Sequence, residues 1–278
     1  MKMFRKLNWQ ALAALAMGVL LLLAFWPTFH WLWWSWRTNE YYSHGPLIPL
    51  VAGYLAWRRR PQENPSSPSN WGLLGLGGGL AGYLAAMAWR APFLSALAFV
   101  VVLGGLVWFL LGEEVLRRWL FSLAYLILAV PLPFVDAFAT YLQGLTAQAA
   151  TASVRLLGVS AISEGGRITM TSCSLVVGAP CSGMRSLVAL LALAAVLAYL
   201  LRGPWPRRGV LVGMSIPLAV AANMLRVLSL LLVADRWGED IALRYWHTLS
   251  GPVFFIAALG LLIVASWVLG CREIRSDI

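Results

Sequence analysis

Residues 178–190 read GAPCSGMRSLVAL, and the apolar run they open continues through Leu201. About 20 consecutive apolar residues cross the roughly 30 Å hydrocarbon core of a bilayer, so a membrane helix over 181–201 is expected. Pro180 stands immediately before Cys181. Proline suits a helix start because its missing N–H would have had no intrahelical partner there. Cys181 is thereby predicted at the positive end of a helix dipole, where unpaired N–H groups favour the thiolate. Buried cysteines also occur as small inert hydrophobes, so a chemical role for Cys181 depends on what other side chains share its membrane face.

Outward from this stretch, the composition sets the class. Of 278 residues 60% are hydrophobic and only 12% charged, which indicates an all-α polytopic membrane protein rather than a water-soluble domain. Formal net charge is +10, with 21 Lys and Arg against 11 Asp and Glu. Such an excess fits nucleic acid, anionic lipid or membrane orientation, and the positions of the basic residues favour orientation. Three cysteines make no disulfide framework.

The hydropathy pattern predicts about eight transmembrane helices with both termini cytoplasmic, forming one integral membrane domain over 1–278. Lys2, Arg5 and Lys6 precede a first span from about Ala11 to Phe29, read as an uncleaved signal anchor. An aromatic belt from His30 to Trp36 and an external loop follow, and a short second span, Pro46 to Trp57, returns to Arg58, Arg59 and Arg60. Residues 58–70 form a cytoplasmic linker rich in Pro and Ser. Spans three and four, about 71–89 and 92–111, make a hairpin whose glycines indicate close helix packing. Span five runs from about Trp119 to Pro131. The extracytoplasmic segment 137–179 is expected to start as an amphipathic helix on the outer leaflet and to finish as a small β-hairpin turning at Glu164-Gly165-Gly166. Spans six to eight cover 181–201, about 209–233 and roughly 249–269. This arrangement places thirteen basic residues inside and six outside, with Arg185 and Arg226 in helices. That bias sets the orientation and puts Cys181 at the outer face.

Two residues then share a leaflet with Cys181. Arg226, in AANMLRVLSLLL of the seventh span, is a cation inside a helix; it needs a partner or a wet cleft because a central charge costs about 2.5–3.5 kcal/mol on insertion scales. Asn223, three residues earlier, shares its face and braces it. His247, in RYWHTLSGPVFF at the outer entrance of the eighth span, takes and returns protons near neutrality. A thiol, an imidazole and a fixed cation are the parts of an acyl-transfer site. Arg185, one turn beyond Cys181, is a candidate for orienting substrate or lowering the thiol pKa, and an interhelix structural role is as good an account of it. Ser182 and His44 are supporting candidates. His30, His44 and His247 come from separate loops with no ligand spacing, so no metal and no cofactor are expected.

APCSGMRSL, NMLRV and HTLSG, in this order on three consecutive spans, together with the external YSHG at 42–45, resemble the exosortase/archaeosortase family over about Tyr41 to Gly251. A third-position His resembles the bacterial exosortases more than the archaeal enzymes. The resemblance implies a catalytic Cys181, Arg226 and His247 in a transpeptidase-like cysteine protease of the plasma membrane. Its substrates would be exported proteins with a carboxy-terminal Pro-Glu-Pro-type signal, a membrane helix and a basic tail. It also implies contact with membrane lipid, no nucleic-acid partner and no fused soluble domain, and it leaves oligomeric state and acceptor open.

Three rivals stand beside this reading. Cys173 and Cys181 share the oxidising side and can form a disulfide. Glu113-Glu114-Val-Leu-Arg-Arg118 matches the Glu-Glu-x-x-x-Arg pattern of prenyl-protein membrane proteases, although the histidines are predicted on the opposite side. A non-enzymatic subunit for exopolysaccharide export, with Arg185 and Arg226 lining an anion path, is the alternative outside enzymology.

Overall fold

The computed structural model describes residue 12 and residues 16–61, 68–178 and 181–275. The basic start at Lys2 to Lys6, residues 62–67 of the 58–70 linker and Pro180 lie outside the described residues. The chain is mostly helical: α1 (Ala16–Ala24), α2 (Trp26–Thr38), α3 (Leu47–Arg58), α4 (Gly72–Ala88), α5 (Pro92–Tyr125), α6 (Val135–Leu156), α7 (Met184–Leu200), α8 (Trp205–Trp237), the short α9 (Glu239–Ile241) and α10 (His247–Val268). Between α6 and α7 lie three short strands, β1 (Ala161–Glu164), β2 (Arg167–Met170) and β3 (Ser174–Val176).

The helical membrane class holds, and length and composition support fewer spans than the eight expected. Among the described residues, Pro92–Ala129, Trp205–Trp237 and Glu239–Val268 are long and apolar enough to cross a bilayer. A fourth qualifies if α1 and α2, bent by 61° at Phe25, are taken together. The reason is length. At ~1.5 Å per residue the 12 residues of α3 reach about 18 Å, and the 17 residues of α4 or α7 about 25 Å, short of a ~30 Å core. The aromatic belt is also helical: Trp31, Trp33, Trp34 and Trp36 sit on α2, which continues to Thr38 past the predicted end at Phe29.

Glycine decides how α4 and α5 pack. A Cβ on Gly75 would lie 2.9 Å from the Gly105 Cα, and one on Gly79 2.9 Å from the Val102 nitrogen, so the two backbones approach as closely as small residues permit. Gly112 (φ 84°, ψ 176°) then breaks α5. Its second arm folds back, bringing Leu123 within 3.7 Å of a Cβ placed on Gly104. Glu113–Arg117 (2.6 Å) and Glu114–Arg118 are exposed i,i+4 pairs just past this turn. They form a solvated helix surface, and all three histidines lie elsewhere in the sequence and outside these pairs.

α7, α8 and α10 share the main core, with Leu187, Leu190 and Ala194 of α7 against Leu211 and Ala219 of α8 and Ala258 and Leu262 of α10. The expected amphipathic helix is α6, whose buried positions Ala139, Leu142, Thr146, Ala150 and Val154 recur every three to four residues. Rather than lying free on a leaflet, this face packs against α8. The predicted hairpin exists and gains a third strand: β1-β2-β3 is antiparallel, Glu164 pairs with Arg167 across Gly165 and Gly166, and Arg167 pairs onward with Val176. The sheet buries Ala161, Ile168 and Leu175 on Val227 and Leu231 of α8 and Ala150 and Val154 of α6. β3 therefore delivers the chain to Cys181 from a rigid platform.

Candidate active site

Cys181 lies before α7 rather than on it. The helix starts at Met184, and Gly183 adopts φ 82°, a left-handed conformation that side chains disfavour. That turn lifts Cys181 off the helix axis, so the expected dipole position is corrected by about one turn. Cβ crowding also demands glycine here, because a Cβ on Gly183 would lie 2.8 Å from the Asn223 amide.

Asn223 is the peg on which the cysteine loop hangs. It is only 4% exposed, and its amide donates to the Cys181 carbonyl at 2.8 Å and to Thr146 Oγ1 of α6 at 3.3 Å. The Cys181 N–H is used as well, donating to the Gly178 carbonyl at 2.9 Å. Ser182 Oγ accepts from the Met184 N–H at 3.3 Å, which makes it a helix-start support. Asn223 was expected to brace Arg226; its described hydrogen bonds go instead to the cysteine loop and α6.

The thiol reaches across to α10. Cys181 Sγ is 3.2 Å from His247 Nε2. His247 is the first residue of α10 and follows a π-helical turn over Ala242–Trp246. Such turns re-aim a side chain by about one helix position. The turn is anchored by Trp246, whose indole N–H donates to Ser229 Oγ at 2.9 Å, and Ser229 in turn donates to the Arg226 carbonyl at 2.7 Å.

Arg226 lies over the first turn of α10. Its Nε donates to Ser250 Oγ at 3.4 Å and its Nη2 to the His247 carbonyl at 3.5 Å, while Gly251 leaves room for the guanidinium, whose carbon is 3.8 Å from a Cβ built there. Its charge bears on both the Cys181 thiol and the His247 ring. The three residues singled out from sequence thus converge at one end of the bundle. A small, partly open cavity of about 30 Å³ is lined by Arg226, Ser186, Asn223 and Phe255. That volume suits one or two waters.

Electrostatics correct the thiolate expectation. Cys181 is 5% exposed, and burial raises its pKa; Arg226 opposes this and the Glu40 carboxylate adds to it. Burial thus works against a resting thiolate, while Sγ and Nε2 remain within hydrogen-bond distance for a proton to pass between them. Cys173, Cys181 and Cys271 are all free thiols.

The loop between α2 and α3 closes the same end. Glu40 and Tyr42 belong to a one-turn helix packed near the start of α7, and the Tyr42 hydroxyl accepts from the Leu132 N–H at 3.1 Å. His44 follows, with both ring nitrogens buried and without a partner among the described residues. Burial lowers its pKa, and the Arg185 cation lowers it further. Arg185 is exposed on the first turn of α7 and bears on His44. Glu40, Thr146, Ser250 and the glycine turn were missed from sequence. Only Glu40 carried a signal, as the acidic residue opening the EYYSHG loop.

This arrangement can perform nucleophilic acyl transfer: a thiol against a base, a fixed cation beside both, and an unpaired polar side chain at the rim. A family model described as transmembrane exosortase matches residues 33–264, a range that contains every residue of the site. No curated protein and no solved structure matches the chain.

Proposed function

Since the chain belongs to the transmembrane exosortase family, we propose that it is a cysteine peptidase and transpeptidase that cuts carboxy-terminal sorting signals of exported proteins at the outer face of the plasma membrane. The observation that carries this reading is the 3.2 Å contact between Cys181 Sγ and His247 Nε2.

In the proposed reaction a substrate segment enters beside the 39–46 loop with its scissile carbonyl over Cys181. His247 takes the thiol proton as the sulfur attacks, so no free thiolate need be maintained in the buried site. The tetrahedral oxyanion is stabilised by Arg226, which is always charged and already held against α10. His247 then passes the proton to the leaving amine, and the thioester on Cys181 is released to an amine, a lipid nucleophile or water. Arg185 and His44 orient the peptide, and Asn223 and Ser182 hold the loop that presents the thiol. The intended substrates carry a short Pro-Glu-Pro-type motif, a membrane helix and a basic tail.

Co-expression of a tagged protein bearing such a signal tests the reading. Wild type is expected to shorten the substrate on an anti-tag blot, and Cys181→Ala to leave it full length. Processing that persists in Cys181→Ala refutes a cysteine mechanism.

A further inference from the structure

The sheet that precedes the cysteine loop has two outer strands, β1 and β3, and their free sides differ. On the β1 side the Ala161 carbonyl accepts from Arg155 Nε of α6, so that edge is covered. The β3 edge is open. In an antiparallel pair the N–H and C=O groups of successive residues turn alternately toward the partner and away from it. Met170 N–H donates to the Cys173 carbonyl and Val177 N–H to the Gly166 carbonyl, each at 2.8 Å, and Ile168 is in register with Leu175 between them. Cys173, Leu175 and Val177 therefore face β2, and the main-chain groups of Ser174 and Val176 face outward. Among the described residues, no partner takes those four groups.

Exposed edges are ordinarily blunted by a lysine, a proline or a bulge, because unpaired main-chain groups invite another strand. Ser174-Leu175-Val176 carries none of these, and Val176 is exposed. The strand is nevertheless held firmly from within. Leu175 and Val177 are buried in one cluster with Val227 and Leu231 of α8, and the Val177 carbonyl accepts from Gln143 Nε2 of α6. Its far end leads to the nucleophile: the Gly178 carbonyl accepts from the Cys181 N–H at 2.9 Å, so a single turn separates the strand from the thiol residue. An extended chain starting beside Ser174 covers that path in about four to six residues, at ~3.3 Å each.

We propose that the open edge of β3 is the docking strand for the peptide substrate, whose extended segment on the amino-terminal side of the scissile bond adds to the sheet as a fourth strand. This inference rests on the peptidase reading above. The substrate is the occupant because the edge ends at the nucleophile. Both chains run toward Cys181, so the pairing is parallel. The docked segment is the part that stays on the sulfur as the thioester, and strand addition therefore retains the acyl group while the leaving segment departs. Main-chain bonds supply affinity in such docking and read no side chains. β3 itself has no charged residue, which leaves sequence selection to other parts of the site.

The test measures cleavage of a peptide carrying a Pro-Glu-Pro-type signal by the full-length protein in detergent. Val176→Pro removes an outward N–H and sets a ring on the edge, while the Leu175 and Val177 N–H groups that serve β2 are kept. KM is expected to rise about tenfold, as for the loss of one hydrogen bond, with kcat within about twofold. Ser163, in register with Ile168, faces outward from β1, so Ser163→Pro makes the same change on the other edge and should alter neither constant. A second series leaves the protein intact and replaces each peptide N–H, other than the scissile one, by an ester oxygen. Losses should recur at every second residue on the amino-terminal side, and this series decides the matter if Val176→Pro does not fold. Cleavage with a flat ester series, an unchanged KM in Val176→Pro, or an equal rise in Ser163→Pro overturns the docking and leaves the peptidase reading intact. A wild-type dimer dissociated by Val176→Pro also overturns it, by giving the edge to a second copy. No cleavage and no Cys181 adduct in wild type defeats the peptidase reading and the docking with it.

Discussion

Cys181 Sγ and His247 Nε2 stand 3.2 Å apart although 66 residues separate them, joined across the gap between the β3 loop and the first turn of α10. Burial favours the protonated sulfur, and the contact lets its proton pass to the imidazole during attack.

Removing the sulfur or the base should have unequal effects. Cys181→Ala is expected to abolish cleavage of a sorting-signal peptide. His247→Ala should lower kcat by about 10²–10⁴, the usual contribution of a positioned proton carrier. Arg226→Gln should cost about 10²–10³ through lost oxyanion stabilisation. Initial rates in detergent or proteoliposomes decide this, and a variant of any of the three that retains wild-type kcat removes that residue from the mechanism.

The thiol should titrate late. Because burial raises the Cys181 pKa and Arg226 lowers it, the net effect being upward, the thiolate fraction grows only as pH rises beyond the ordinary thiol range. Iodoacetamide labelling of Cys181, followed by peptide mass spectrometry, should accelerate with pH up to and beyond pH 9, and the Arg226→Gln curve should lie at still higher pH. Fast labelling that is flat below pH 7 would show a resting thiolate and imidazolium instead.

Asn223 should behave as a positioning residue. Asn223→Ala removes the donor to the Cys181 carbonyl and leaves that buried acceptor and Thr146 unpaired, a loss of about 1–3 kcal/mol. Cleavage and Cys181 labelling should both fall while the far-ultraviolet spectrum is retained. Gly183→Ala should do the same through strain at φ 82°, and the double variant with Asn223→Ala should be less than additive, since it removes the clash. Additive effects would mean that the two act separately.

The rim residues should affect binding more than chemistry. The two ring nitrogens of His44 have no partner among the described residues and feel the Arg185 charge, so His44→Ala and Arg185→Gln are expected to raise KM several-fold with kcat within about twofold. Equal losses in kcat and kcat/KM would place them in the chemical step.

Packing of the α4 and α5 hairpin depends on glycine. Gly75→Leu must push against the Gly105 backbone and is expected to lower the thermal midpoint by several degrees, whereas Gly77→Leu, with open space around it, should leave the midpoint unchanged. Equal midpoints would separate the hairpin from stability.

Much of the architecture was legible because membrane helices announce themselves by apolar length and glycine content. The helical class, the β-hairpin at Gly165-Gly166 and the amphipathic α6 were read from periodicity and turn residues alone. Span number was less legible: hydropathy counts apolar runs, and α3, α4 and α7 are 12 to 17 residues long while α5 is one apolar element broken at Gly112. Cys181, Arg226 and His247 were picked by chemical type and shared leaflet, and they do lie together in space. What brings them together was hidden, because the left-handed turn at Gly183 and the π-helical turn before His247 are backbone responses to tertiary contacts with Asn223 and Ser229. The thiolate expectation failed for a related reason: a dipole argument takes a helix start at Pro180, whereas the helix begins at Met184 and the sulfur is buried.

The central claim is that Cys181 becomes acylated by its substrate. Intact-protein mass spectrometry after rapid acid quench, with a signal peptide supplied to wild type and to Cys181→Ser, measures this most directly. The account predicts a mass increase equal to the amino-terminal cleavage fragment less one water, mapped to Cys181, removed by neutral hydroxylamine and accumulating further in His247→Ala if acceptor attack is slowed more than acylation. Cleaved peptide formed with the adduct on another residue, or turnover by Cys181→Ser at the wild-type rate, would contradict it.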